Sequence, residues 1–295
     1  MSLSPFQNNK KTPASHAPVV LQGLKDIHHH FSCFLVDLFG VVHDGQTLFP
    51  KAKQCLESLK ASGKTVILFT NAPRLPMSIE KGLLKLGLDR TLYSQIVSSG
   101  EHVCETLQIH KKTLGTFYFH VGSAAHQIVE SHLGYQKVTQ IEKSDFILLT
   151  GLDDHFSGPE EYKKVWQYGI ENKLPLVCAN SDPYVISAGK KVVCAGALAT
   201  LYEERGGRVY WHGKPQSSFY TMVLKRLNIP LKQVCAIGDS MWTDIEGAER
   251  VGISHVLITN TGVHGAHFLH NPQGATDFWK NFSLKPCYLL KTFLW

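Results

Sequence analysis

Short runs of apolar, largely β-branched residues alternate with amphipathic stretches along most of this chain, and that alternation narrows the fold more than any other feature. The runs are Phe31–Asp37, Lys64–Thr70, Gln95–Ser98, Thr116–Val121, Asp145–Thr150, Pro175–Ala179, Arg208–Trp211, Gln233–Gly238 and His255–Thr259. Most are continuously apolar, as strands buried on both faces of a parallel sheet are. Between them, Lys51–Ala61 gathers Cys55, Leu56 and Leu59 on one helical face. Glu160–Asn172 does the same with Tyr162, Val165, Trp166 and Gly169, and Ser217–Leu227 with Phe219, Met222 and Val223. The pattern predicts an α/β fold built on a doubly wound parallel sheet. Such sheets bind ligands beyond the carboxyl ends of their strands, so chemistry is expected there.

Composition removes several classes. A chain of 295 residues predicts two domains. Apolar residues at 43% and charged residues at 18% exclude wholesale disorder. No stretch approaches the roughly 20 apolar residues of a membrane span. Lys10 and Lys11 are followed by no apolar segment of the secretory type, so a cytoplasmic location is expected. Seven cysteines without a C-x-x-C pair read as reduced thiols. The net charge of +6 favours an anionic substrate. Basic residues cluster only in pairs, which argues against nucleic acid as a partner.

Four strand ends carry reactive groups. Asp37 closes the first run, and Thr70-Asn71 the second. Lys214 follows Arg208–Trp211, within Gly213-Lys214-Pro215, and Gly238-Asp239 is followed at short range by Thr243-Asp244. A strand-end carboxylate is costly to bury unless it is paired or binds a cation. Oxygen ligands of this kind suit Mg²⁺ together with a substrate phosphate. Lys214 supplies a cation for a transferring phosphoryl group, and Thr70 and Asn71 supply neutral donors. Asp37 is then the nucleophile. Other features are read as structural. Gly63 is a helix C-cap rather than part of a P-loop, Trp242 a packing residue, and His264, His267 and His270 a loop or short helix rather than a zinc site. Arg74 stands as a phosphate contact or an exposed loop residue.

In this order, the constellation resembles the haloacid dehalogenase (HAD) superfamily, specifically the class IIA branch of p-nitrophenyl and pyridoxal phosphate phosphatases. The resemblance runs from about Ile27 to Val263. It implies a Rossmann-like core at residues 1–100 and 209–295, with an α/β cap domain of the C2 type inserted at 101–208. It implies Mg²⁺ held by Asp37, the Phe39 carbonyl, Asp239 and Asp244. It places the cap motifs Asn180-Ser181-Asp182-Pro183, Gly189 and Cys194–Ala197 over the substrate, with Asn180, Asp182 and Gly196 as contacts. It further implies pairing of two copies through the cap. The expected substrate is a small phosphorylated metabolite such as a sugar, nucleotide or cofactor phosphate. One position departs from the family. The usual general acid, two residues after the nucleophile, is Phe39 here. Either His43 or Asp44 takes its place, or the ester has a good leaving group, or the chain binds phosphate compounds without turning them over.

Overall fold

The computed structural model describes residues 17–129, 133–153, 162–269 and 278–295. The chain opens with β1 (Val19–Val20), β2 (Cys33–Val36), α1 (Ala52–Ala61), β3 (Thr65–Thr70), α2 (Pro76–Lys85), β4 (Gln95–Ser98) and α3 (Ser99–Leu114). It continues through β5 (Phe117–Val121), β6 (Gln136–Val138), β7 (Phe146–Leu149), α4 (Lys163–Glu171) and β8 (Leu176–Cys178). Then come the hairpin β9 (Tyr184–Ser187) and β10 (Lys190–Val193), α5 (Ala195–Glu204) and β11 (Val209–Trp211). The last part holds α6 (Ser217–Leu227), β12 (Val234–Gly238), α7 (Glu246–Val251), β13 (Ser254–Ile258), α8 (Gly265–Leu269) and β14 (Tyr288–Leu290).

The first and last parts share one sheet, ordered β1-β14-β13-β12-β2-β3-β4, with every pair parallel. From β2 the chain winds outward one way through β3 and β4, and from β12 the other way through β13 and β14. The order therefore reverses between β2 and β12, which places the crevice for a ligand beyond the ends of those two strands. Both faces are apolar. Phe34, Val36, Val66, Leu68, Cys235 and Ile237 pack on one side, with Leu56 and Leu59 of α1. Cys33, Leu35, Ile67, Phe69, Val234 and Ala236 pack on the other, against Phe219, Tyr220 and Val223 of α6. This period of two explains why each strand reads as an unbroken apolar run. Each fully buried Leu, Phe or Val contributes about 1.5–3 kcal/mol.

The middle part builds a second parallel sheet, ordered β11-β8-β7-β5-β6. One face carries Ile147, Leu149, Leu176 and Cys178 against Trp166 of α4 and Leu198 and Tyr202 of α5. The other carries Phe146, Leu148 and Val177 against Val103 and Leu107 of α3. The expected return to the core at residue 209 needs correcting. β11 pairs in parallel with β8, and the His212 N–H extends that ladder to the Cys178 carbonyl at 3.0 Å. The crossing back therefore falls at Gly213–Lys214. The other crossing is the start of α3, capped by the Ser98 hydroxyl, which accepts from the Glu101 N–H.

Short elements escaped the sequence reading: β1, β6, β14 and the β9–β10 hairpin. Residues 160–161 of the expected helix Glu160–Asn172 lie outside the described residues, as does His270. Among the described residues no helix is long and apolar enough to cross a membrane.

Candidate active site

Asp37 follows β2, where its N–H continues the ladder by donating to the Ile237 carbonyl of β12. Asp239 follows β12, and Asp244 lies in the single π-turn 241–245 that opens the next helix. One oxygen from each of these buried carboxylates falls within 4.8 Å of the others. Lys214, arriving from β11, donates to Asp37 Oδ1 at 2.6 Å and to Asp244 Oδ1 at 2.7 Å. The second oxygen of Asp244 accepts from the Ser240 N–H. Asp239 Oδ2 accepts from the Val263 N–H at 2.7 Å. Glycine is required around Asp239, because a Cβ on Gly40 or Gly262 would collide with its carboxylate, and both have positive φ.

The charges do not balance. Three carboxylates share one ammonium, and Asp182 from the inserted sheet adds a fourth acid near Lys214. Burial pushes Asp37 up to about 7, against the pull of Lys214 and with the push of Asp244. Asp239 is raised well above the carboxylate range by burial and by Asp37 and Asp244. Asp182 is raised to about 6, chiefly by burial, with Lys214 opposing. Burial works against the Lys214 charge too, but Asp244 and Asp37 outweigh it and hold the ammonium protonated. A compact, buried, all-oxygen donor set with surplus negative charge fits a divalent cation.

The other expected site residues divide. Thr70 ends β3 in the same cavity, its Oγ1 accepting from the Ala72 N–H at 3.2 Å. Asn71 is not a free donor to substrate. Its Nδ2 donates to Ser181 Oγ, Asp182 Oδ1 and the Lys214 carbonyl, while its Oδ1 accepts from the Lys214 N–H at 2.7 Å. It therefore braces Lys214 and ties the core to the inserted sheet. Asn180 lines the cavity and accepts from the Asp182 N–H. Gly196 is not part of the cavity wall, because it is packed against the Ser181 and Asp182 carbonyls, where a Cβ would not fit.

Asp44 also departs from its expected role. Its carboxylate accepts from the Gln46 and Thr47 N–H groups, bonds that hold its pKa below the usual range, and it does not line the cavity. His43 does line it, with its ring edge-on to Phe39 at 4.7 Å. Burial lowers His43 to about 4, so the ring is neutral. Its Nδ1 accepts from the Gly45 N–H at 2.9 Å, which puts the proton on Nε2. His43 is thus a hydrogen-bond donor rather than a base at that nitrogen. Phe39 forms part of the wall.

Sequence reasoning missed the groups that work through the backbone or across the two sheets. Ser99, at the start of α3, has its hydroxyl within hydrogen-bond reach of the Asn71, Ala72 and Ala179 carbonyls, so its one proton lies where the segments after β3 and β8 meet. Ser181 donates to the Lys214 carbonyl. The Asn180-Ser181-Asp182 run marked that segment, whereas nothing marked Ser99 or the Val263 N–H. Trp242 packs against His264 but also lines the cavity, edge-on to Tyr184 of the hairpin. The cavity spans about 700 Å³ between the two sheets.

Comparison with known proteins agrees with this arrangement. Residues 34–141 match the haloacid dehalogenase-like hydrolase family model, and residues 211–282 match a second HAD-hydrolase-like model. Bovine (Bos taurus) chronophin is 25% identical over 257 residues, covering 81% of this chain and 84% of its own. The 4-nitrophenylphosphatase of Schizosaccharomyces pombe is 24% identical, covering 81% and 87%. A crystal structure of a haloacid dehalogenase-like hydrolase from Brucella suis superposes with a TM-score of 0.82 at 27% identity, covering 93% of this chain and all of that one. The two matched segments hold the strand ends that carry Asp37, Thr70, Lys214 and Asp239, so the shared sequence and the shared chemistry coincide. The chain belongs to the haloacid dehalogenase-like hydrolases.

Proposed function

We propose that this protein is a Mg²⁺-dependent phosphatase acting on a small phosphorylated metabolite through an aspartyl-phosphate. The observation that carries the reading is the Lys214 ammonium shared by Asp37 and Asp244 inside an acidic cluster at the reversal point of the core sheet. Lys214 holds Asp37 Oδ1, which leaves Oδ2 to attack phosphorus as the ester oxygen departs with its electron pair. Asp37, the Phe39 carbonyl, Asp239 and Asp244 would hold the cation, which supplies charge neutralisation for the phosphoryl oxygens. Lys214 adds its own charge to that stabilisation, and Thr70 offers a hydroxyl. Water then displaces phosphate from Asp37 and restores the carboxylate. The name of one relative, 4-nitrophenylphosphatase, supports the reaction class.

With Phe39 in place of the usual acid and Asp44 held in its turn, a pure phosphate-binding role is the alternative. The experiment is phosphate release from a panel of esters with and without Mg²⁺, run beside Asp37→Asn. Release that needs Mg²⁺ and falls at least about a thousandfold in the variant supports the enzyme, since the nucleophile has no substitute. Binding of phosphate compounds with no release from any ester supports the alternative. A cytoplasmic location and pairing of two copies through the inserted unit belong to the same proposal.

A further inference from the structure

The phosphatase reading leaves one part of the cavity unused. Its acidic lining groups, Asp37, Asp182, Asp239 and Asp244, cluster at the end where Lys214 sits. The exposed mouth is different. Arg74, from the loop after β3, and Lys85, at the end of α2, line it and are both exposed. His126 joins them from the inserted part of the chain. The Arg74 guanidinium reaches across to His126 Nε2 at 3.3 Å, so the two halves of the molecule meet there through a cation. A guanidinium has five N–H donors in a planar fork. Among the described residues, Arg74 pairs with no carboxylate. Ile79 and Leu83 of α2 supply apolar wall beside it.

Resting on the phosphatase reading, we propose that the substrate carries a second anionic group, a carboxylate or a second phosphate, held at the cavity mouth by Arg74, whose guanidinium His126 positions by accepting one of its N–H groups. The reacting phosphate sits at the acidic end with its cation, and the leaving group spans the cavity toward the mouth. An anion there accepts two parallel hydrogen bonds from Arg74, the geometry in which Arg outperforms Lys. It also occupies the space between core and inserted unit, so its binding joins the two.

The test uses carboxyalkyl phosphates of graded chain length, each beside its hydroxyalkyl twin, with 4-nitrophenyl phosphate as a reference of one negative group. The expected result is at least one chain length whose carboxylate member exceeds its twin about tenfold or more in kcat/KM, the scale of one hydrogen bond to a charged group. In Arg74→Gln that ratio falls to near one, and in His126→Gln it falls part of the way. A structural defect would lower both twins together and leave the ratio intact, so the ratio reads the contact itself. A wild-type ratio near one at every length overturns the inference, as does a ratio that survives Arg74→Gln. Hydrolysis of 4-nitrophenyl phosphate in those cases shows that the phosphatase reading stands without it. No turnover of any ester removes both.

Discussion

Replacing Lys214 by Met deletes one positive charge while keeping most of the side chain's volume. The ammonium is 2% exposed and lies 2.6 Å from Asp37 and 2.7 Å from Asp244. Without it, three carboxylates with oxygens inside 4.8 Å face one another uncompensated. Removing one partner of a buried ion pair costs about 3–5 kcal/mol, because the remaining charge is stranded. Two carboxylates lose their partner here, and proton uptake by one of them returns part of the loss, so the same range holds. A domain is stable by about 5–15 kcal/mol in total. At about 2–4 °C per kcal/mol for a chain of this size, the melting midpoint falls by about 6–20 °C. Excess MgCl₂ supplies the missing charge and recovers a large part of that loss in the variant. The assay is thermal unfolding of both proteins in EDTA and in MgCl₂. A variant that melts within about 2 °C of wild type in EDTA, less than the shift of one kcal/mol, would refute the charge argument. So would a midpoint that MgCl₂ leaves unmoved.

Three further outcomes follow from the same geometry. Gly262→Ala places a methyl group where the Asp239 carboxylate sits, at a φ of +73°, and is expected to weaken Mg²⁺ binding at least tenfold by titration calorimetry; an unchanged affinity removes Asp239 from the cation site. His264 is 1% exposed, accepts from the Met241 N–H, and is lowered by burial to about 3. The folded state therefore binds fewer protons than the unfolded state between about 3 and 6.5, so this stability is full above 6.5 and is lost as pH falls. From pH 7 to 5.5 the loss is about 1 kcal/mol, read as the difference between wild type and His264→Gln in urea unfolding, which cancels the opposite trend of the carboxylates. Ser99→Ala removes the one hydroxyl proton that the Asn71 and Ala179 carbonyls share and is expected to cost about 1–3 kcal/mol; a change under half a kcal/mol would mean that the start of α3 is held elsewhere.

The strands that carry the site were legible because burial on both faces writes them as apolar runs. Gln95–Ser98 was located to the residue, and the other core runs to within two residues. β14 and the β9–β10 hairpin were not legible, since they are three and four residues long and β10 is exposed throughout. The charged members of the site were readable for a physical reason: a carboxylate or lysine that ends an apolar strand is anomalous unless it has work to do. Asn71 and Asp44 show the limit of that logic. Both lie where catalysis was expected, and both spend their polar atoms on the backbone and on neighbours. A side chain's hydrogen-bond partners depend on chain segments that meet only after folding, and spacing along the sequence does not encode them.

The place where the chain crosses back from the inserted sheet has a mechanical consequence. Lys214 lies three residues beyond the end of β11, and the Gly213 N–H donates to His102 Nδ1 on α3, the other crossing. The two connections are thus fastened side by side, and one of them carries the ammonium that faces Asp37. A tilt of the inserted sheet against the core would therefore move that charge relative to Asp37.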